Sequence, residues 1–161
     1  MEKRISHVTV GGTFDVLHKG HWLLLEESYR IGERVIIGLT TDEFVKKMKK
    51  KHPVNNFEKR YGELVKFLEK NDYSDRTNIV PIDDKYGPTI NGRAYAYKLE
   101  GILVSEETES GAEEINQIRV NEGKKPLLII VVTMVLADDD IPISSTRIRK
   151  QEVDRFGKLI G

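Results

Sequence analysis

The sequence predicts a single α/β domain spanning residues 1–161, with helices on both faces of a five-stranded, mostly parallel sheet. Three observations lead there. Short β-branched runs alternate with segments of helical period along the whole chain. A glycine turn joins the first such run to the first helical segment. The 161 residues also match the roughly 150 expected of one domain.

The elements follow in order. Ile5 to Val10 is short and β-branched and stops at Gly11-Gly12, a first strand. Trp22, Leu23, Leu24, Leu25 and Tyr29 then recur at helical spacing until Gly32 closes the segment. Arg34 to Leu39 is a near-continuous apolar run, as expected of a strand covered on both faces, and it completes a right-handed βαβ unit. Thr40-Thr41-Asp42 caps a short helix beginning at Glu43, and the lysine run Lys46, Lys47, Lys49, Lys50, Lys51 ends at His52-Pro53. Asn55 or Asn56 caps the next helix, which turns Tyr61, Leu64, Val65, Phe67 and Leu68 inward. Asn78 to Ile82 is a third strand, Tyr86 to Thr89 a loop, Gly101 to Val104 a fourth strand, and Ser105 to Thr108 an acidic turn. A helix over Ala112 to Glu122 leads to a fifth, buried strand, Leu127 to Val132. Ser144-Ser145-Thr146 starts a terminal helix holding Arg147, Ile148, Arg149 and Val153. The result is a doubly wound, Rossmann-like arrangement, whose ligands belong beyond the carboxyl ends of the strands.

Composition narrows the function. Lys plus Arg and Asp plus Glu each total 26, so the net charge is zero and attraction of the whole molecule to nucleic acid or membrane is not expected. The lysine run also lacks the interleaved aromatics of a nucleic-acid surface. With no cysteine, disulfides, thiolate metal sites and a cysteine nucleophile are excluded, and a cytoplasmic protein is expected. A charged fraction of 32% points towards a heat-adapted source. The start of the chain lacks a signal-peptide core, and the longest apolar run falls short of the ~20 residues a membrane helix needs.

Chemistry concentrates after the first strand, in Gly11-Gly-Thr-Phe-Asp-Val-Leu-His-Lys-Gly-His21. His18 and His21, three residues apart where a helix begins, share one face at the end that attracts anions. Gly11, Gly12 and Gly20 let backbone approach a ligand, and Thr13 offers a hydroxyl donor. The alternatives are surface histidines or a metal pair, the latter with no third ligand nearby. Ser144, Ser145 and Thr146 form a helix cap, which with Arg147 makes a second anion-binding terminus. Arg149, about 200° around the helix from Arg147, is expected to face elsewhere. The lysine run reads as a solvated face or as a phosphate grip. Glu58-Lys59-Arg60 reads as a helix start belonging to the site, or Arg60 only pairs with Glu58 or Glu63. Asp15 either steers Mg²⁺ through water or braces its turn, Trp22 belongs to the core, and Asp138-Asp139-Asp140 forms a solvated loop.

These residues carry a resemblance. His18-Lys19-Gly20-His21 resembles the first signature of the nucleotidyltransferase superfamily, and Pro142-Ile-Ser-Ser-Thr-Arg-Ile-Arg149 resembles its ISSTxxR element. Within the superfamily the chain is most similar to the archaeal-type phosphopantetheine adenylyltransferases, through Gly11 to Asp15, Asp83-Asp84-Lys-Tyr-Gly-Pro-Thr89 and Ser105-Glu-Glu-Thr108. The stretch from Pro88 to Glu100 departs from that pattern, and no role is carried onto it.

The resemblance implies transfer of AMP from ATP to 4′-phosphopantetheine, giving dephospho-coenzyme A and pyrophosphate. It assigns catalysis to His18, Lys19, His21 and Arg147. ATP would contact Gly11, Gly12, Thr13, Phe14, His18, Gly20, His21, Ser105, Glu106, Ser144, Ser145, Thr146 and Arg147. The acceptor would contact Thr13 and either Lys46 or Lys47. Mg²⁺ would arrive with ATP and no protein-held metal is implied, while coenzyme A is a further candidate ligand. The chemistry is coherent, because a phosphate monoester with a second pKa of ~6 is already ionised and needs donors and cations more than a base. Glycerol-3-phosphate cytidylyltransferase, nicotinamide mononucleotide adenylyltransferase and FAD synthetase share both signatures, and a non-catalytic nucleotide sensor would retain part of them. Oligomeric state is not encoded in these motifs.

Overall fold

Strand order decides where this sheet offers a ligand site. The computed structural model describes residues 4–50, 52–90, 93 and 95–161. Strands β1 (Ile5–Gly12), β2 (Gly32–Thr40), β3 (Thr77–Ile82), β4 (Gly101–Val104) and β5 (Leu128–Val131) form one sheet in the order β3-β2-β1-β4-β5. All four pairings are parallel. The chain walks outward from β1 through β2 to β3, then crosses back to lay β4 on the other side of β1. The switch point, where connections leave in opposite directions, is therefore the end of β1, where Gly11 and Gly12 sit beside Gly38 and Leu39 of β2.

The helices are α1 (Lys19–Ile31), α2 (Asp42–Lys47), α3 (Phe57–Lys70), α4 (Glu109–Asn121) and α5 (Ser145–Arg149). Alternation along the strands sends successive side chains to opposite faces. Val35, Ile37 and Leu39 join Val8, Val10 and Leu103 under Leu25 and Tyr29 of α1 and Leu64 and Leu68 of α3. Ile36, Ile102 and Val104 pack on the other face against Ala112 and Ile115 of α4. The expected double winding is present. Among the described residues no helix is long and apolar enough to cross a membrane.

Several boundaries differ from expectation. The fifth strand is four residues long and lies at the sheet edge, with no further strand paired to it among the described residues, and Leu128 and Val131 are exposed. Helix α4 begins three residues before Ala112, drawing Glu109, Ser110 and Gly111 out of the loop. The terminal helix is a single short segment ending at Arg149. Gln151 takes a positive φ of 60°, so the chain turns, and Val153 instead pairs antiparallel with Leu159. Lys51, Asn91, Gly92 and Ala94 lie outside the described residues, as do residues 1–3.

Candidate active site

The two histidines of the first signature cap the helix they begin. His18 is the N-cap of α1; its Nδ1 accepts the N–H of Gly20 at 3.1 Å, and Nδ1 of His21 accepts the N–H of His18 at 3.3 Å. Helix starts leave such N–H groups unsatisfied, and two imidazoles here take the place of the usual Ser and Glu. The rings stack with centroids 3.9 Å apart. Gly20 permits this, since a Cβ there would lie 2.8 Å from Cε1 of His18. Phe14, buried and held at a φ of 49°, sets its ring 5.2 Å from that of His21.

The cap fixes the chemistry of the rings. Burial, and then the charge of Arg155, lowers the pKa of His18 to about 4. Burial and then the proximity of His18 lower that of His21 to about 3, against smaller opposing effects of the Val16 backbone and Asp15. Both rings are thus neutral at pH 7. Because each Nδ1 accepts a backbone hydrogen, each neutral ring carries its proton on Nε2, on the side away from the cap. Two N–H donors stand together at a positive helix end, well suited to phosphoryl oxygens.

A carboxylate joins this turn to the second signature. Asp15 accepts the N–H of Asn55 at 2.8 Å and takes both Nε and Nη2 of Arg149, at 2.7 and 2.9 Å. Burial alone would raise its pKa, but the Arg149 hydrogen bonds, the Asn55 N–H and the charges of Arg149 and His52 together hold it below the ordinary value. Ser145 meets the N–H and carbonyl of Val16, and Ser144 caps α5 through the N–H of Arg147. Asp15 therefore braces its turn, and both signatures line a cleft of about 250 Å³ with Thr13, Phe14, Asp15, His18, His21, Ile143, Ser144, Ser145 and Thr146.

Other expected residues stand differently. Arg147 does not line the cleft: its guanidinium binds Asp139, Glu152 and the carbonyls of Ile141 and Pro142. The two arginines take different partners, and it is Arg149 that binds the cleft-lining Asp15. Asp139 accordingly is an ion-pair partner of Arg147 and no mere loop residue. Lys46 and Lys47 are exposed on α2 and do not line the cleft. Lys49, at a φ of 49°, turns the chain so that Lys50 and His52 do. Lys19 is exposed, Gly11, Gly12 and Gly20 lie outside the lining, and Trp22 is half-buried against Phe156. Ser105 and Glu106 form the turn after β4, with the Ser105 N–H on Thr108 Oγ1, and they do not reach the cleft wall.

Arg60 takes neither of its expected partners. Its side chain is fully buried, donating to the carbonyls of Thr13, Thr40 and Asn55 and pairing with Asp42 rather than with Glu58 or Glu63. It ties the ends of β1 and β2 to the start of α3. The only signal was phase: Arg60, Leu64 and Leu68 share the buried face at four-residue steps.

The comparisons with known proteins agree with this architecture. The cytidylyltransferase-like family pattern matches residues 9–151. The phosphopantetheine adenylyltransferase of Methanothermobacter thermautotrophicus is 46% identical over 160 residues, 99% of this chain and 93% of that protein. The chain belongs to the cytidylyltransferase-like family. A second family relative, the phosphopantetheine adenylyltransferase of Pyrococcus furiosus, is 41% identical over 99% of this chain and 97% of its own. Among solved structures, an Archaeoglobus fulgidus protein of unknown function superposes with a TM-score of 0.67 at 31% identity, covering 78% of this chain and 88% of that one.

Proposed function

We propose that this protein is a phosphopantetheine adenylyltransferase, moving AMP from ATP to 4′-phosphopantetheine in coenzyme A synthesis. The observation that carries the reading is the capped, neutral pair His18 and His21 facing the Ser144 to Thr146 turn across one cleft. Relatives at 46% and 41% identity over nearly the whole chain bear that name.

The cleft accounts for the reaction. A phosphate oxygen of the acceptor attacks the α-phosphorus of ATP in line, a P–O bond forms, and the bond to the β-phosphoryl oxygen breaks as pyrophosphate leaves. The nucleophile is already ionised, so no general base is required of the protein. The Nε2–H groups of His18 and His21 donate to the charge that grows on the reacting phosphoryl group and its leaving oxygen. Thr13, Ser144 and Thr146 add hydroxyl donors, and Lys50 takes the part expected of Lys46 or Lys47, gripping the acceptor's phosphate. Among the described residues no three His, Cys, Asp or Glu converge as a metal site. Mg²⁺ would enter with ATP as part of the substrate, neutralising triphosphate oxygens. We assign the amide-bearing arm of the acceptor to a second cavity of about 350 Å³ at the end of β3, lined by Ile82, Asp84 and Arg93. A cytoplasmic location accompanies these substrates.

The test is pyrophosphate release from Mg²⁺-ATP with 4′-phosphopantetheine, unphosphorylated pantetheine, glycerol-3-phosphate, nicotinamide mononucleotide and FMN. Release with the first alone is expected. Release with another acceptor reassigns the substrate, and silence with all of them favours a nucleotide sensor.

A further inference from the structure

Most cations around the cleft already hold a carboxylate: Arg149 is on Asp15, Arg147 on Asp139 and Glu152, and Arg60 on Asp42. His18 and His21 are neutral. A triphosphate lying over the start of α1 therefore meets few uncommitted positive charges, of which Lys50 lines one wall.

The C-terminal hairpin, residues 153–159, lies beyond the matched family region and contacts both signatures beside the cleft without lining it. It is closed by the bridge between Val153 and Leu159, and Asp154 Oδ1 accepts the N–H groups of Phe156 and Lys158. One side is seated on the second signature. Gly157, at a φ of 88°, fits so closely that a Cβ would lie 2.9 Å from Cδ1 of Ile143, the residue before Ser144. The other side is seated on the first signature: the carbonyl of Arg155 accepts the N–H of Lys19 at 2.8 Å, and the Phe156 ring meets Trp22 at 5.2 Å. The hairpin thus fixes the backbone of Arg155 at the seam between the two motifs. Its side chain is exposed and pairs with no carboxylate among the described residues. Its charge reaches His18, where it is the second cause, after burial, of that ring's low pKa.

We infer that Arg155 is a further phosphate ligand of the active site, its guanidinium receiving the β- and γ-phosphates of ATP and the departing pyrophosphate. The inference rests on the reading that the triphosphate lies over the histidine pair. A guanidinium suits the role because it can meet two phosphate oxygens at once.

The test compares Arg155→Gln and Arg155→Lys with the natural protein by titration calorimetry against ATP, pyrophosphate and AMP. Salt is held at about 0.15 M, where charges beyond about 8 Å are largely screened. Arg155→Gln should weaken ATP and pyrophosphate by about tenfold, the scale of one charge-assisted hydrogen bond, and leave AMP within about twofold. Arg155→Lys should recover part of the loss, and the melting temperature should not move because the side chain is exposed. Equal weakening of ATP and AMP, or no weakening of either, overturns the assignment. Nucleotide titration needs no acceptor, so the two readings fail separately. A phosphate-selective loss in a protein that releases no pyrophosphate would leave Arg155 assigned and remove the transferase reading. Normal turnover with unchanged ATP affinity in Arg155→Gln would do the reverse.

Discussion

The turn between β1 and α1 and the segment from the end of α2 to α3 flank one cleft and are built in opposite ways. In the first, Phe14 is buried in a left-handed conformation, Asp15 is held by two residues, and the imidazoles of His18 and His21 each close a backbone hydrogen bond. Residues in sparsely populated conformations persist only where their surroundings over-determine them. In the second, the side chains of Lys46, Lys47, Lys49 and Lys50 are all exposed, and tethering begins at His52 and Asn55. Fixed donors suit charge that exists only in a transition state, whereas a lysine on a loose stem suits a phosphate that must enter and leave.

The sharpest way to break this contrast is to remove a fixed donor. His21→Ala should lower kcat by ~10²-fold or more while ATP affinity, read by calorimetry, changes little. An equal loss in ATP affinity with kcat unchanged would move His21 to the ground state. Gly20→Ala leaves both imidazoles present but puts a Cβ against the His18 ring. It should cost about ten- to a hundredfold in kcat through misplacement alone. Its stability should hardly move, because the gain of about 1 kcal/mol in helix propensity offsets the lost cap. A stability loss that tracks the activity loss would count against positioning.

Arg149→Ala should act on stability. Asp15 would keep the Asn55 N–H but lose its cation, at a cost of about 1–3 kcal/mol by chemical denaturation, towards the lower end because the arginine is a quarter exposed. The sign with pH follows from the lowered pKa of Asp15. The folded carboxyl binds its proton later than the unfolded one, so the benefit is present above the ordinary value of 3.8 and is lost as pH falls through the lower folded value. The gap between natural protein and variant should close in that acid range. The smallest effect is expected on the loose side: Lys50→Gln should raise the KM for the phosphorylated acceptor several-fold at moderate salt, and Lys46→Gln should leave it unchanged.

What was legible in the sequence divides along the same line. Gly-Gly-Thr-Phe-Asp15, His18, Gly20 and His21 announce themselves because close approach demands glycine and capping fixes spacing, and the strands around them follow from β-branched runs. Helical angle alone did not order Arg147 and Arg149, because which direction is inward depends on where Asp15 and Asp139 stand in space, although the spacing of the ISSTxxR element puts its arginine at Arg149. Lys50 was hidden by its neighbours: in a run of lysines, the one aimed at the cleft is chosen by a single backbone turn at Lys49. Arg60 was masked by its own charge, since burial of an arginine needs carbonyls supplied by two distant strand ends. The edge position of β5 depends on strand order, which apolar content does not encode.

The central claim is that helix capping holds two neutral imidazoles with their protons on Nε2. Nitrogen-15 chemical shifts of the His18 and His21 side chains, followed from pH 8 to about pH 6, address it directly. The lowered pKa values of about 4 and about 3 predict Nε2–H tautomers for both rings and shifts that stay flat across the range. A midpoint near 6.5 for either ring, or an Nδ1–H tautomer at neutral pH, would contradict the account.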